Sequence, residues 1–139
     1  MITDQKHLFV GESSRTNPSG ILQLQSFLKD MKVTEVKTDL FHLLCGCSYL
    51  TESTIIITPE LAGSDYFPGF KYVRFRKEDA YASDALYLGE RRVLIPSGYP
   101  RASRKLKEAE YTPVEVDVSE FQKGDGGVTC LCSPIYNQL

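Results

Sequence analysis

Two Pro-Ser-Gly turns, Pro18-Ser19-Gly20 and Pro96-Ser97-Gly98, stand 78 positions apart in a chain of 139 residues, and the likeness continues past them. The same offset lays Leu28-Lys29 on Leu106-Lys107, Val36 on Val114 and Asp39 on Asp117. Each copy reads as a turn, a helix and a strand ending in an acid. A unit of this size cannot bury its apolar face alone, so neighbouring units must share a core. One α/β domain over residues 1–139 is the expectation, because independent domains usually need about 100–200 residues.

Residue patterns place the elements. His7-Leu8-Phe9-Val10-Gly11 is a short buried strand closed by glycine. The first turn opens a helix whose apolar members Ile21, Leu22, Leu24, Phe27, Leu28 and Met31 recur at spacings of three and four, predicting one buried stripe. Further strands are expected at 33–36, at 41–50 with a kink at Gly46, and at 54–58, 72–75, 85–88, 92–95, 114–118 and 128–132. A second amphipathic helix is expected over 100–110, and Gly124-Asp125-Gly126-Gly127 forces a turn before the last strand.

Composition narrows the function classes. Hydrophobic residues at 42% and charged residues at 24% exclude a disordered tail. Sixteen Lys and Arg against eighteen Asp and Glu leave no basic excess for phosphates, which argues against a nucleic-acid partner. Apolar runs such as Ile55-Ile56-Ile57 are far too short to span a membrane, and the first residues carry no apolar signal core. The expectation is a cytoplasmic protein whose four cysteines are free thiols or chemically active.

Those cysteines form two Cys-x-Cys pairs, Cys45/Cys47 and Cys130/Cys132. On a strand, residues two apart face the same side, so each pair could present two thiolates to zinc. Structural zinc usually sits on Cys-x2-4-Cys knuckles, so the signal is weak and no metal ligand is assigned. Cys130 follows Gly-Gly-Val-Thr, a glycine-rich approach suited to a nucleophile, although a buried small residue is the plainer reading. His42 stands in the apolar run Leu40-Phe41-His42-Leu43-Leu44, as a catalytic base or a hydrogen-bonded core histidine. Arg15, in a polar loop before the first helix, suits bidentate carboxylate binding or plain solvation. Asp125 is the acid placed to approach a ligand; Asp84, Asp117 and Glu120 read as surface or turn residues.

Taken together, three stretches carry a resemblance. They are Phe9-Val10-Gly11-x-Ser13-x-Arg15-Thr16-Asn17-x-x-Gly20, Phe41-His42-Leu43, and Ser119-Glu120-Phe121-x-Lys123-x-Asp125-Gly126-Gly127-Val128-Thr129-Cys130-Leu131. In this order they resemble dimethylarginine dimethylaminohydrolase and its relatives in the guanidino-modifying pentein, or amidinotransferase, superfamily. The resemblance implies a partial pentein, an α/β-propeller of ββαβ-type units, with about half of a five-unit ring present. It implies Cys130 as nucleophile, His42 as general acid and base, Arg15 on the substrate's α-carboxylate, and Asp125 with the Gly124 backbone in the substrate loop. The implied reaction turns Nω-methylated arginine, or arginine, into citrulline and an amine without metal or organic cofactor.

A full member of that family is about twice as long, and its N-terminal half supplies acids that hold the guanidinium. The chain therefore resembles a C-terminal half, expected to be weak or inactive alone and to associate with itself or with a missing half. The alternative function is a non-catalytic half-pentein interaction module; a third class is a zinc-binding domain on the cysteine pairs.

Overall fold

The computed structural model describes residues 2–3, 7–51, 53–63 and 65–133. Its elements run β1 (Ile2–Thr3), β2 (His7–Glu12), α1 (Pro18–Phe27), β3 (Lys32–Lys37), β4 (Cys47–Tyr49), β5 (Thr54–Ile57), α2 (Pro59–Ala62), β6 (Lys71–Arg74), β7 (Leu86–Gly89), β8 (Arg92–Pro96), α3 (Pro100–Glu108), β9 (Thr112–Val116) and α4 (Ser119–Gln122). Among the described residues they make three three-stranded sheets, β1-β2-β3, β4-β5-β6 and β7-β8-β9. Each sheet is an antiparallel pair followed by a helical crossover to a parallel third strand. The unit is thus ββαβ, three times over.

The repeat has a different register from the 78-residue offset. Pro18 opens α1, whereas Pro96 closes β8 and it is Pro100 that opens α3. Proline suits both places for one reason, since the first position of a helix and the last of a strand need no ladder N–H.

Neighbouring units share their cores through β5. Successive strand side chains point to opposite faces. Ile56 accordingly packs with Val93, Ile95, Ala102 and Leu106 of the third unit, while Ile55 and Ile57 pack with Phe9, Val36 and Phe67 on the other side. All three isoleucines are essentially fully buried.

Three expectations change. The segment 41–50 is not one strand: a 3-10 turn, Leu43–Cys45, precedes a three-residue β4. Cys45 N–H donates to the His42 carbonyl and Gly46 N–H to the Leu43 carbonyl, both at 3.0 Å. A side chain at residue 46 would strike the Leu40 methyl and press on that of Leu61, so glycine lets this turn pack without displacing either. The last expected strand is likewise a 3-10 turn, Thr129–Leu131. The apolar stripe of α1 is mostly uncovered as well. Ile21 is buried, but Leu22 is 66% and Phe27 81% exposed. The helix closes at Leu28, whose N–H donates to the Leu24 carbonyl at 3.1 Å, and one sheet contact cannot cover side chains spread so far around the axis.

Candidate active site

The turn that follows β2 carries Arg15. Asn17 caps α1 by accepting the Gly20 N–H at 2.9 Å, and Ser13 and Thr16 exchange backbone hydrogen bonds across the turn. The exposed Arg15 guanidinium lies over the Phe41 ring, 3.9 Å from its centroid. That ring meets the His42 ring edge to face, with centroids 4.8 Å apart. Ser13 Oγ donates to the Phe41 carbonyl at 3.4 Å, tying the two loops together. His42 is exposed at the mouth of the Leu43–Cys45 turn, not a core histidine. An open cleft of about 360 Å³ runs beside it, lined by Phe9, Gly11, Ser13, Thr16, Phe41 and His42 among others.

Cys130 belongs to a second loop cluster. After α4 the chain turns through Gly124 and Asp125, the latter exposed and in the left-handed region at φ 59°. Gly124 and Gly126 both donate N–H to the Phe121 carbonyl, at 2.9 and 3.0 Å. Tyr81 O–H donates to the Gly126 carbonyl, and Thr129 N–H donates to Asp84 Oδ1 at 3.0 Å. The following residue is Cys130, exposed, its N–H donating to the Gly127 carbonyl at 3.2 Å. Neither Cys130 nor Arg15 lines the cleft beside His42.

The two clusters meet at Cys45. Its N–H binds the His42 carbonyl, and its own carbonyl accepts the Ser83 hydroxyl at 3.0 Å. Burial raises the Cys45 thiol pKa, outweighing a hydrogen bond from the His42 backbone that lowers it, and the nearby Asp84 and Cys130 add to the rise. Burial pushes Cys47 up to about 12. Tyr81 is raised by burial, then by Asp84, Tyr99, Cys130 and Asp125, which keeps its proton on the phenol that holds Gly126. Among the described residues no hydrogen bond joins the Cys130 thiol to the His42 ring. Their link runs through Cys45.

Asp84 is the residue that pattern reading missed. It is 6% exposed, not a surface acid. A long-range contact to a loop 45 positions later leaves no local periodicity; the one hint was an acid set against the start of an apolar strand, Asp84-Ala85-Leu86. The cysteine pairs also differ from their strand reading. Cys45 is exposed on a turn while Cys47 is buried in β4, and neither Cys130 nor Cys132 is on a strand. Among the described residues no group of three or more His, Cys, Asp or Glu side chains could hold a metal ion. No helix among them is long and apolar enough to cross a membrane.

No protein-family model matches the sequence. A curated N(G),N(G)-dimethylarginine dimethylaminohydrolase from Pseudomonas aeruginosa is 34% identical over 128 residues, covering 90% of this chain and 50% of that protein. A solved structure of the P. aeruginosa enzyme, a cysteine-to-serine mutant complexed with citrulline, superposes with a TM-score of 0.86 at 32% identity, over 94% of this chain and 51% of its own. A dimethylarginine dimethylaminohydrolase with a histidine-to-glycine substitution, in adduct with S-methyl-L-thiocitrulline, superposes at 0.84 with 33% identity, again over 94% and 51%. The chain spans about half the length of the curated relatives it matches. By sequence and by fold, it is a homologue of dimethylarginine dimethylaminohydrolases over about half of their length.

Proposed function

We propose that this chain carries the nucleophile and the proton-transfer group of a guanidino-group hydrolase that forms citrulline from Nω-methylated arginine or arginine. The observation that carries the reading is the meeting of two turns. Cys45, on the turn that His42 begins, accepts the Ser83 hydroxyl on its carbonyl, and the neighbouring Asp84 accepts the Thr129 N–H just before Cys130. The solved relatives support it too, one a cysteine mutant with citrulline and one a histidine variant in adduct with a thiocitrulline.

A guanidinium carbon is a poor electrophile because resonance spreads its charge, so the attacking group must be a strong nucleophile. The Cys130 thiolate forms a C–S bond to that carbon. His42 gives its proton to the departing amine as the C–N bond breaks, leaving an S-alkylthiouronium. Neutral His42 then takes a proton from water, whose oxygen adds to the same carbon; the C–S bond breaks and the thiolate returns. Arg15 holds the α-carboxylate, with Phe41 beneath its guanidinium, and Asp125 and Gly124 face the substrate from their loop. No cofactor enters these steps.

In this reading the chain corresponds to the C-terminal half of its relatives, three units of a pentein ring, acting in the cytoplasm. Acids that hold the guanidinium come from an N-terminal half. A second reading, a non-catalytic interaction module, draws on the exposed Leu22, Phe27 and Phe121.

The test is citrulline release from Nω,Nω-dimethylarginine and from arginine, by the chain alone and mixed with the N-terminal half of the P. aeruginosa relative. Mass spectrometry follows the adduct formed with S-methyl-L-thiocitrulline. Product from the mixture and an adduct on Cys130, both absent in Cys130→Ser, are expected. Neither product nor Cys130 adduct in any sample overturns the hydrolase reading.

A further inference from the structure

We propose that Asp84 is a positioning residue of this site: its buried carboxylate, anchored between residues that Ser48 of β4 clamps, holds the turn that presents Cys130. The proposal rests on Cys130 being the nucleophile.

Asp84 is fixed from both sides before it touches the loop. Ser48 Oγ, buried in β4, donates to the Ser83 carbonyl at 2.7 Å and accepts the Ala85 N–H at 3.1 Å. The single Ser83 hydroxyl proton is in turn shared between the Cys45 carbonyl and that of Ala80, the latter at 2.7 Å. The residues flanking Asp84 are therefore clamped by one hydroxyl, and the same network reaches the turn that His42 opens. Supporting bonds of this kind are what hold a reactive group to its geometry.

From this mount the carboxylate meets the loop at two points. Oδ1 accepts the Thr129 N–H, the amide immediately before Cys130. Oδ2 occupies the space that a side chain at residue 127 would need, so glycine at 127 is the counterpart of the acid at 84. Tyr81, three residues earlier on the 3-10 segment Lys77–Ser83 that Asp84 closes, holds Gly126. Among the described residues no cation pairs with Asp84. Burying a carboxylate without a cation is unfavourable and is tolerated where the group is needed for its hydrogen bonds.

The test compares Asp84→Ala, Asp84→Asn and Gly127→Ala in the full chain, with two readouts. Amide hydrogen exchange over 127–131 reports the hydrogen bond itself. The ratio of iodoacetamide labelling at Cys130 to that at Cys132 reports the thiol's presentation, with Cys132 as the control in the same loop. Asp84→Ala is expected to speed exchange and to lower the labelling ratio, each by about tenfold, the scale of one lost charge-assisted hydrogen bond. Asp84→Asn, which keeps a carbonyl oxygen for Thr129, should restore both. Gly127→Ala should disturb both on its own, and add little in the Asp84→Ala background, where the obstructing carboxylate is gone. Should Asp84→Ala fail to fold, Gly127→Ala reads the same contact from the loop's side.

Unchanged exchange in Asp84→Ala and Gly127→Ala overturns the proposal. So does faster exchange with an unchanged labelling ratio, because the anchor would then not govern the thiol. A wild-type ratio of one, seen before any substitution, would instead overturn Cys130 as nucleophile and remove the basis of the proposal.

Discussion

Arg15 and Phe41, 26 positions apart, are stacked: the guanidinium carbon lies 3.9 Å from the ring centroid. An exposed cation–π contact is worth about 0.5–1 kcal/mol, enough to orient a long side chain but not to stabilise a domain. Phe41→Leu is therefore expected to leave the melting temperature within about 2 °C, while KM for an α-carboxylate substrate rises about three- to fivefold and kcat is kept. Phe41→Tyr should retain both. A large fall in kcat with unchanged KM would show that Phe41 acts on the chemistry and not on Arg15.

Thiol reactivity should follow burial and charge. Alkylation near neutral pH is expected to reach Cys130 first, with Cys45 joining only as pH rises, since burial disfavours its thiolate by more than the His42 backbone hydrogen bond favours it. Cys47, pushed up to about 12, should stay unlabelled until the protein unfolds. Peptide mapping after limited labelling at two pH values checks the order. Cys45 reacting ahead of Cys130 at pH 7 would contradict it.

Gly46→Ala tests the turn before β4. The added methyl would meet Leu40 and Leu61 in a packed core, so the expected loss is about 1–3 kcal/mol, seen as a lower denaturation midpoint at unchanged slope. Gly63→Ala is the control, because open space surrounds that position. Equal stability of the two variants would mean that the turn is not close-packed.

Self-association is expected of the isolated chain. Leu22 and Phe27 leave an apolar helix face uncovered, and a chain half as long as its relatives has a second copy available to cover it in pure solution. Sedimentation across a concentration series should show a dimer, and Phe27→Ser should weaken it at least tenfold. A monomer at every concentration would discount the interaction reading and leave the α1 face simply solvated.

Local physics made much of this protein legible before folding. The β-branched run Thr54–Ile57 can hardly be anything but a buried strand, and Pro18 and Pro100 start their helices because proline tolerates that position and little else. The glycine-rich approach to Cys130 is equally local. What the tertiary structure decided was where partners lie far off in sequence. Residues 128–132 have strand-forming side chains, yet they turn because Asp84 and Tyr81 bind the loop from 45 positions away. His42 sits in an apolar run yet faces solvent, since Gly46 lets the chain reverse beneath it and bury Leu43. Asp84 reads as a surface or turn acid; the turn is there, but its burial depends on which N–H arrives to meet the charge. Periodicity reports the face of a single element, whereas a hydrogen bond between loops depends on how whole units stack, and that stacking is set by the shared cores on either side of β5.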